Sequence, residues 1–201
     1  MKKILVSLVV IAMTLLSFSP QYAGLPIGSP MPKGSVKMKD VSGKIVSLDE
    51  VKTENGLLVM FSCNTCPYVV KNQGRTKELF EYLQSKQIGG IILNSNEGAR
   101  NNEDSYKAMQ KYAADQAYKW YYVLDSNNEL ADAFGANRTP ECYLFNKEGL
   151  LVYHGAIDDN PADDSKVTRS HLKEAVNEML DGKNVSVKES RSIGCGIKRK
   201  S

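Results

Sequence analysis

Apolar residues in this sequence recur with two spacings, about two residues and about 3.6, and the changes between them mark the elements. Residues 24–36, GLPIGSPMPKGSV, concentrate Gly and Pro and predict an extended lead-in. KMKDVSGKIVSLDEV then carries two short segments around Ser42-Gly43, a hairpin signal. Residues 57–61 form a continuous apolar run of strand length, as expected for a strand covered on both faces. Helical spacing starts after Cys66 with Val69, Val70, Leu79, Phe80 and Leu83. Residues 88–93 repeat the buried-strand pattern, the polar loop NSNEGARNNEDS follows, and residues 106–117, rich in Ala, Lys and Gln, read as a helix. Residues 120–124 predict a third strand, and residues 129–134 a short helix stopped by Gly135. Residues 142–146 and 150–154 predict an antiparallel hairpin around Lys147-Glu148-Gly149. Residues 170–180 make an amphipathic helix with Ser170 as N-cap and Gly182 beyond its end. The remainder, NVSVKESRSIGCGIKRKS, has no periodicity and predicts a tail.

The order is βαβα followed by ββα, without internal repeats. It predicts an α/β fold whose central mixed sheet, parallel in the core and edged by an antiparallel hairpin, is flanked by helices. The chain has 201 residues, enough for one domain with an adequate core. Its opening, MKKILVSLVVIAMTLLSFSPQYAG, pairs Lys2 and Lys3 with an uncharged apolar stretch too short to span a bilayer and right for a secretory signal, with cleavage expected after Ala23. The expected organisation is a signal peptide over 1–23, the lead-in over 24–36, one domain over 37–183 and a tail over 184–201. No cysteine follows the apolar run to carry a lipid anchor, so no stable membrane insertion is expected after cleavage, and the product is expected in the periplasm or secreted. Removing both lysines takes the formal charge from +3 to +1 (3 − 2 = 1), which supplies no sequence-independent attraction for nucleic acid.

Export would place four cysteines where disulfides persist. Cys63 and Cys66 stand two residues apart where the strand pattern passes into the helical one. Unpaired N–H groups and the positive end of the helix dipole would then stabilise a thiolate at Cys63, the expected nucleophile. Cys66, one turn on, would resolve the mixed disulfide. Pro67 suits a first helical turn, which does not need its missing N–H. CxxC also serves zinc, but zinc needs about four ligands. Cys142 and Cys195 do not form a second close pair, and His154 and His171 do not form a ligand pair, so no metal or other cofactor is expected. Inert buried thiols are the other reading of the pair.

FSCNTCPYV, FGANRTPECYLF, LVYHGAIDD and GCGIKRK, in that order, resemble a secreted redoxin of the AhpC/TSA-like branch of the thioredoxin superfamily. The resemblance covers roughly residues 30–200 and implies the thioredoxin fold with an added N-terminal β-hairpin and an inserted strand–helix unit. It makes Thr139-Pro140 the cis-proline loop facing the CxxC, where an extended substrate segment could pair as an added strand. It implies a thiol–disulfide oxidoreductase acting on protein disulfides or dithiols with a further redox partner. Two alternatives stay open: a thiol peroxidase with antioxidant activity, and a non-enzymatic redox-sensing or binding module.

The sequence departs from relatives in several places. No acid lies in residues 57–62 to manage the resolving cysteine's proton. Glu141 is a candidate acceptor, against the reading of a solvated edge glutamate. The peroxiredoxin pattern Pro-x-x-x-Thr-x-x-Cys is absent before both Cys63 and Cys66. Cys142 follows Pro140 by two positions and would share its face. A Cys142–Cys195 disulfide pinning the tail is one expectation; Cys142 in the core and Cys195 as a free or relay thiol is the other. Relatives tend to end in an aromatic-containing IKWK, where this chain has Ile197-Lys198-Arg199-Lys200.

Overall fold

The computed structural model describes residues 24–200; the expected signal peptide lies outside the described residues. Five strands form the central sheet: β3 (Leu57–Ser62), β4 (Gly89–Asn94), β5 (Tyr121–Leu124), β7 (Glu141–Phe145) and β8 (Leu151–Gly155). Their order is β5-β4-β3-β7-β8, with β3, β4 and β5 parallel and β7 antiparallel to both β3 and β8. This is the thioredoxin fold. A small hairpin, β1 (Met38–Lys39) with β2 (Ile45–Val46), precedes the sheet, and β6 (Arg138–Thr139) pairs separately with β9 (Cys195–Gly196).

Central position explains the unbroken apolar run of β3, whose residues are all buried. Leu57, Val59 and Phe61 face one core together with α1 (Leu48–Val51) and α5 (Glu129–Phe134). Leu58 and Met60 face the other, beneath α3 (Gln73–Ser85), α4 (Tyr106–Asp115) and α6 (His171–Leu180). Phe134 fills the first core edge-on against Phe61, Tyr143 and Phe145, at ring centroid separations of 5.4, 5.1 and 5.8 Å.

The helix expected after Cys66 is two helices, α2 (Pro67–Lys71) and α3, joined at Asn72. The buried Asn72 side chain marks the break: its Nδ2 donates to Tyr68 O of α2 at 2.7 Å and to Pro161 O, in the loop after β8, at 3.0 Å, so it takes up one carbonyl of α2 and ties the junction to that loop. Gly135 ends α5 in the left-handed conformation (φ 66°), as expected. Ser170 occupies the N-cap position of α6 without a side-chain capping bond.

Both sheet edges are covered. At β5, Val41 N donates to Tyr122 O at 3.1 Å and Tyr122 N to Asp40 Oδ1 at 2.8 Å. At β8, His154 N donates to Lys188 O at 2.9 Å and Ser190 N to His154 O at 3.0 Å. Segments at opposite ends of the chain thus satisfy backbone groups that would invite pairing with another chain. The stretch expected as an unstructured tail is therefore folded onto the domain. Its order comes from isolated backbone pairs, which leave no periodicity in the sequence.

Replacing Phe134 with Ala should lower unfolding free energy by about 3–5 kcal/mol, because a fully buried ring is lost from a close-packed cluster. Equilibrium urea denaturation measures this, and a loss below about 1 kcal/mol would contradict the packing described.

Candidate active site

Cys63 leaves the end of β3, and Cys66 is the N-cap of α2 with Pro67 at the first helical position. Both cysteines are buried. Because β7 runs antiparallel to β3, with Glu141 opposite Phe61, the residues just before β7 arrive beside the CxxC. Thr139 touches both thiols. Its Oγ1 lies 3.4 Å from Cys63 Sγ, and its carbonyl oxygen lies 3.2 Å from Cys66 Sγ, accepting from that thiol when it is protonated. The Thr139–Pro140 peptide bond is cis.

The two residues between the cysteines have opposite environments. Thr65 is exposed, whereas Asn64 is buried in a polar network that the sequence did not reveal. Asn64 N donates to Asp104 Oδ1 at 2.9 Å and its Nδ2 to Glu103 O at 2.7 Å, while Tyr122 Oη donates to Asn64 Oδ1 at 2.8 Å. Asp104, fully buried, also accepts from the side chains of Asn94 and Asn96, each at 2.8 Å. The signal available was the crowding of Asn and Asp in NSNEGARNNEDS, a loop that lies against the CxxC.

Cys142 and Cys195 are not brought together. Strand alternation turns Cys142, opposite Met60, into the core beneath α3 and α6, where it is fully buried. Cys195 instead lies in β9, paired with Thr139, and packs against Cys63, Cys66 and Val69. The expected pinning disulfide is thereby corrected: all four cysteines are free thiols, and backbone pairing rather than a covalent link holds the tail. In place of the relatives' aromatic, Arg199 directs Nε to Asp132 Oδ1 at 2.9 Å and Nη2 to Ala136 O at 2.8 Å.

Glu141 is not a solvated edge residue. It is buried and accepts from the backbone N–H groups of Asn137 and Arg138 at 2.8 and 2.9 Å and from Tyr143 Oη at 3.3 Å, with His154 Nε2 2.7 Å from Oε1. Burial works to raise its pKa, but the bonds with His154, Asn137 and Arg138 outweigh it and hold the carboxyl below the usual range. Its polar bonds run to the loop leading into Thr139, so it acts as a buried brace for that loop. The acidic loop after β8 is likewise engaged internally, with Asp158 paired to Arg75 and Asp163 accepting from Ser165 N.

Stabilising contacts reach both sulfurs, from Thr139 Oγ1 and the Cys66 N–H at Cys63 and from the Cys195 N–H at Cys66, and the interaction between the two thiols ties their protons together. A hydrogen bond from the Cys63 thiol, followed by the Cys195 thiol and the N–H groups of Val69 and Cys195, moves Cys66 down to about 4 against the cost of burial. The same bond, together with burial, pushes the Cys63 thiol up. Cys66 is the N-cap of α2 without a side-chain capping bond, and the backbone donor that reaches its sulfur is Cys195 N at 3.4 Å.

Among the described residues, no group of three or more His, Cys, Asp or Glu side chains is arranged to hold a metal ion. A groove of about 590 Å³ between Leu150–Val152 and the end of α6 contains none of the cysteines.

Comparison with known proteins matches residues 26–172 to the family model described as Redoxin. A structure of an uncharacterized conserved protein from Geobacillus kaustophilus is 33% identical, with a TM-score of 0.81 over 87% of this chain and 93% of that one. One of a hypothetical protein from Sinorhizobium meliloti 1021 is 29% identical, with a TM-score of 0.81 over 89% and 97%. A thioredoxin-like protein solved in the oxidized form shares the fold at 20% identity and a TM-score of 0.62, over 79% and 99%. No curated protein matches the chain.

Far-ultraviolet thiolate absorbance of the reduced protein should show one thiolate persisting below neutrality and disappearing as pH falls through about 4, a signal absent from Cys66→Ser. Because this pKa is depressed by folding, its stabilisation of the reduced state is present above the ordinary thiol pKa and is lost as pH falls towards about 4. Loss of the signal between about pH 8 and 9, as for a free thiol, would contradict the assignment.

Proposed function

The chain belongs to the redoxin family, and on that premise we propose that it is an exported thiol–disulfide oxidoreductase working through Cys63 and Cys66. The observation that carries the reading is the convergence of both thiols on Thr139 beside Pro140, at the start of a helix whose N–H groups favour a thiolate. Export is inferred from the apolar segment behind Lys2 and Lys3. Family membership supports redox activity in general, and the site geometry favours disulfide exchange over other redox chemistry.

The pair also supplies the proton acceptor that residues 57–62 lack. As Cys63 Sγ attacks a substrate disulfide, its proton passes to the neighbouring Cys66 thiolate, and one substrate sulfur leaves as a thiolate. Cys66 returns that proton to the leaving thiolate and attacks Cys63 Sγ. The Cys63–Cys66 disulfide forms and the second substrate sulfur leaves, taking its proton from water. Two substrate thiols are produced for one disulfide made, and the reverse sequence oxidises a substrate dithiol. Protein disulfides or dithiols are the proposed substrates, with a second redox protein restoring the pair.

Stopped-flow measurements on the reduced protein should give faster thiol loss with a small disulfide such as oxidised glutathione than with hydrogen peroxide, and both Cys63→Ser and Cys66→Ser should reduce multiple-turnover disulfide reduction to background. Oxidation by peroxide far faster than that of an ordinary thiolate would replace this reading with the peroxidase one.

A further inference from the structure

We propose that Cys195 is a third redox thiol of this site, exchanging with the Cys63–Cys66 disulfide at the sulfur of Cys66 to give a Cys66–Cys195 disulfide and a free Cys63. The proposal rests on the reading of Cys63 and Cys66 as a redox pair. Its starting point is the antiparallel register of β6 and β9, in which Thr139 lies opposite Cys195 and Arg138 opposite Gly196. That edge, next to Pro140, is the one an extended substrate would occupy by strand addition. The chain therefore presents its own cysteine in the place of a substrate cysteine.

The placement is built rather than incidental. Cys195 N donates to Cys66 Sγ at 3.4 Å, and Cys195 packs on Cys63, Cys66 and Val69. Gly194 permits the approach, because a Cβ at that position would stand 2.0 Å from Thr139 O, far inside van der Waals contact. Beyond Cys195 the chain is anchored: Ile197 is buried and donates its N–H to Asn137 O at 3.1 Å. Lys198 N donates to Asn96 Oδ1 at 2.8 Å, and Lys198 O accepts from Gly98 N at 2.8 Å. Cys63 and Cys66 are buried while Cys195 is half-buried, so Cys195 is the thiol of the three that solvent reaches most readily.

The exchange balances without an outside oxidant. Cys195 gives its proton to solvent, its sulfur electron pair forms the bond to Cys66 Sγ, and the Cys63–Cys66 bond breaks with its pair going to Cys63, which takes up a proton. In the reduced protein, burial and then the bond to the anionic Cys66 raise Cys195 to about 11, so it remains a donor. Once Cys66 is in a disulfide its charge is gone, which removes the second of these causes and favours ionisation of Cys195 when there is a bond to attack. Lys198 and Arg138 also favour its thiolate. The result is a disulfide carried from a buried pair to a more accessible sulfur, where a partner thiol can reach it.

The test uses full chains of Cys63→Ser, Cys195→Ser and wild type, each shown to unfold cooperatively, then oxidised with glutathione disulfide, acid-quenched and peptide-mapped without reduction. The expected result is a Cys66–Cys195 link in most Cys63→Ser molecules with glutathione released, both this link and Cys63–Cys66 in wild type, and Cys63–Cys66 alone in Cys195→Ser. Cys63→Ser molecules with glutathione retained on Cys66, or with both thiols unmodified, would overturn the proposal. If Cys195→Ser nevertheless forms Cys63–Cys66, the redox-pair reading stands without the third thiol; if it does not, both fall.

Discussion

The antiparallel pairing of β7 with β3 is the constraint on which the site depends. It sets Glu141 opposite Phe61 and so fixes where the chain before β7 must end: beside the first residues after β3, which are the CxxC. Two chain segments more than seventy residues apart thereby meet through backbone geometry, and the side chains need only be of the right kind. The hydrophobic cores above and below β3 hold that pairing in register, since a slip of one residue would turn Leu57, Val59 and Phe61 into the wrong core. Fold and chemistry share one origin.

Around this frame the protein buries polar groups that would be costly if left unpaired. Asp104 collects three donors from Asn64, Asn94 and Asn96, and Glu141 collects two backbone N–H groups from the loop before Thr139. A buried donor or acceptor without a partner costs about 1–3 kcal/mol, so each carboxylate stabilises one specific path of the backbone at the site. One brace sets the CxxC turn and the other sets the loop that faces it. Networks of this kind restrict alternatives as well as adding stability. The tail completes the arrangement by pairing with the edge that the Glu141 brace positions.

Much of this was legible in the sequence, for physical reasons that differ by region. The buried strands and amphipathic helices announce themselves because burial imposes a period, and Gly135 and Gly149 stop or turn the chain where positive φ is needed (66° and 77°). The CxxC at a strand–helix junction was visible for the same reason. Asn72 hid the division of the helix after Cys66, because a side chain capping carbonyls leaves no trace in hydrophobic spacing. Two-residue strands such as β6 and β9 have no period at all, so the place of Cys195 followed only from three dimensions. The balance of charge within the CxxC likewise depends on contacts from Thr139 and Cys195, which lie far away along the chain and which spacing cannot specify.

The central claim is that Cys63 and Cys66 form a reversible dithiol–disulfide couple. Equilibrating the protein in glutathione buffers of graded potential, with acid quenching and mass-spectrometric mapping of each cysteine, tests it most directly. In the Cys195→Ser chain the account predicts a two-electron transition in which Cys63 and Cys66 change state together, following a slope of about 30 mV per tenfold change in ratio. Both cysteines remaining reduced across the whole range, or Cys63 accumulating as an over-oxidised acid without a partner sulfur, would contradict it.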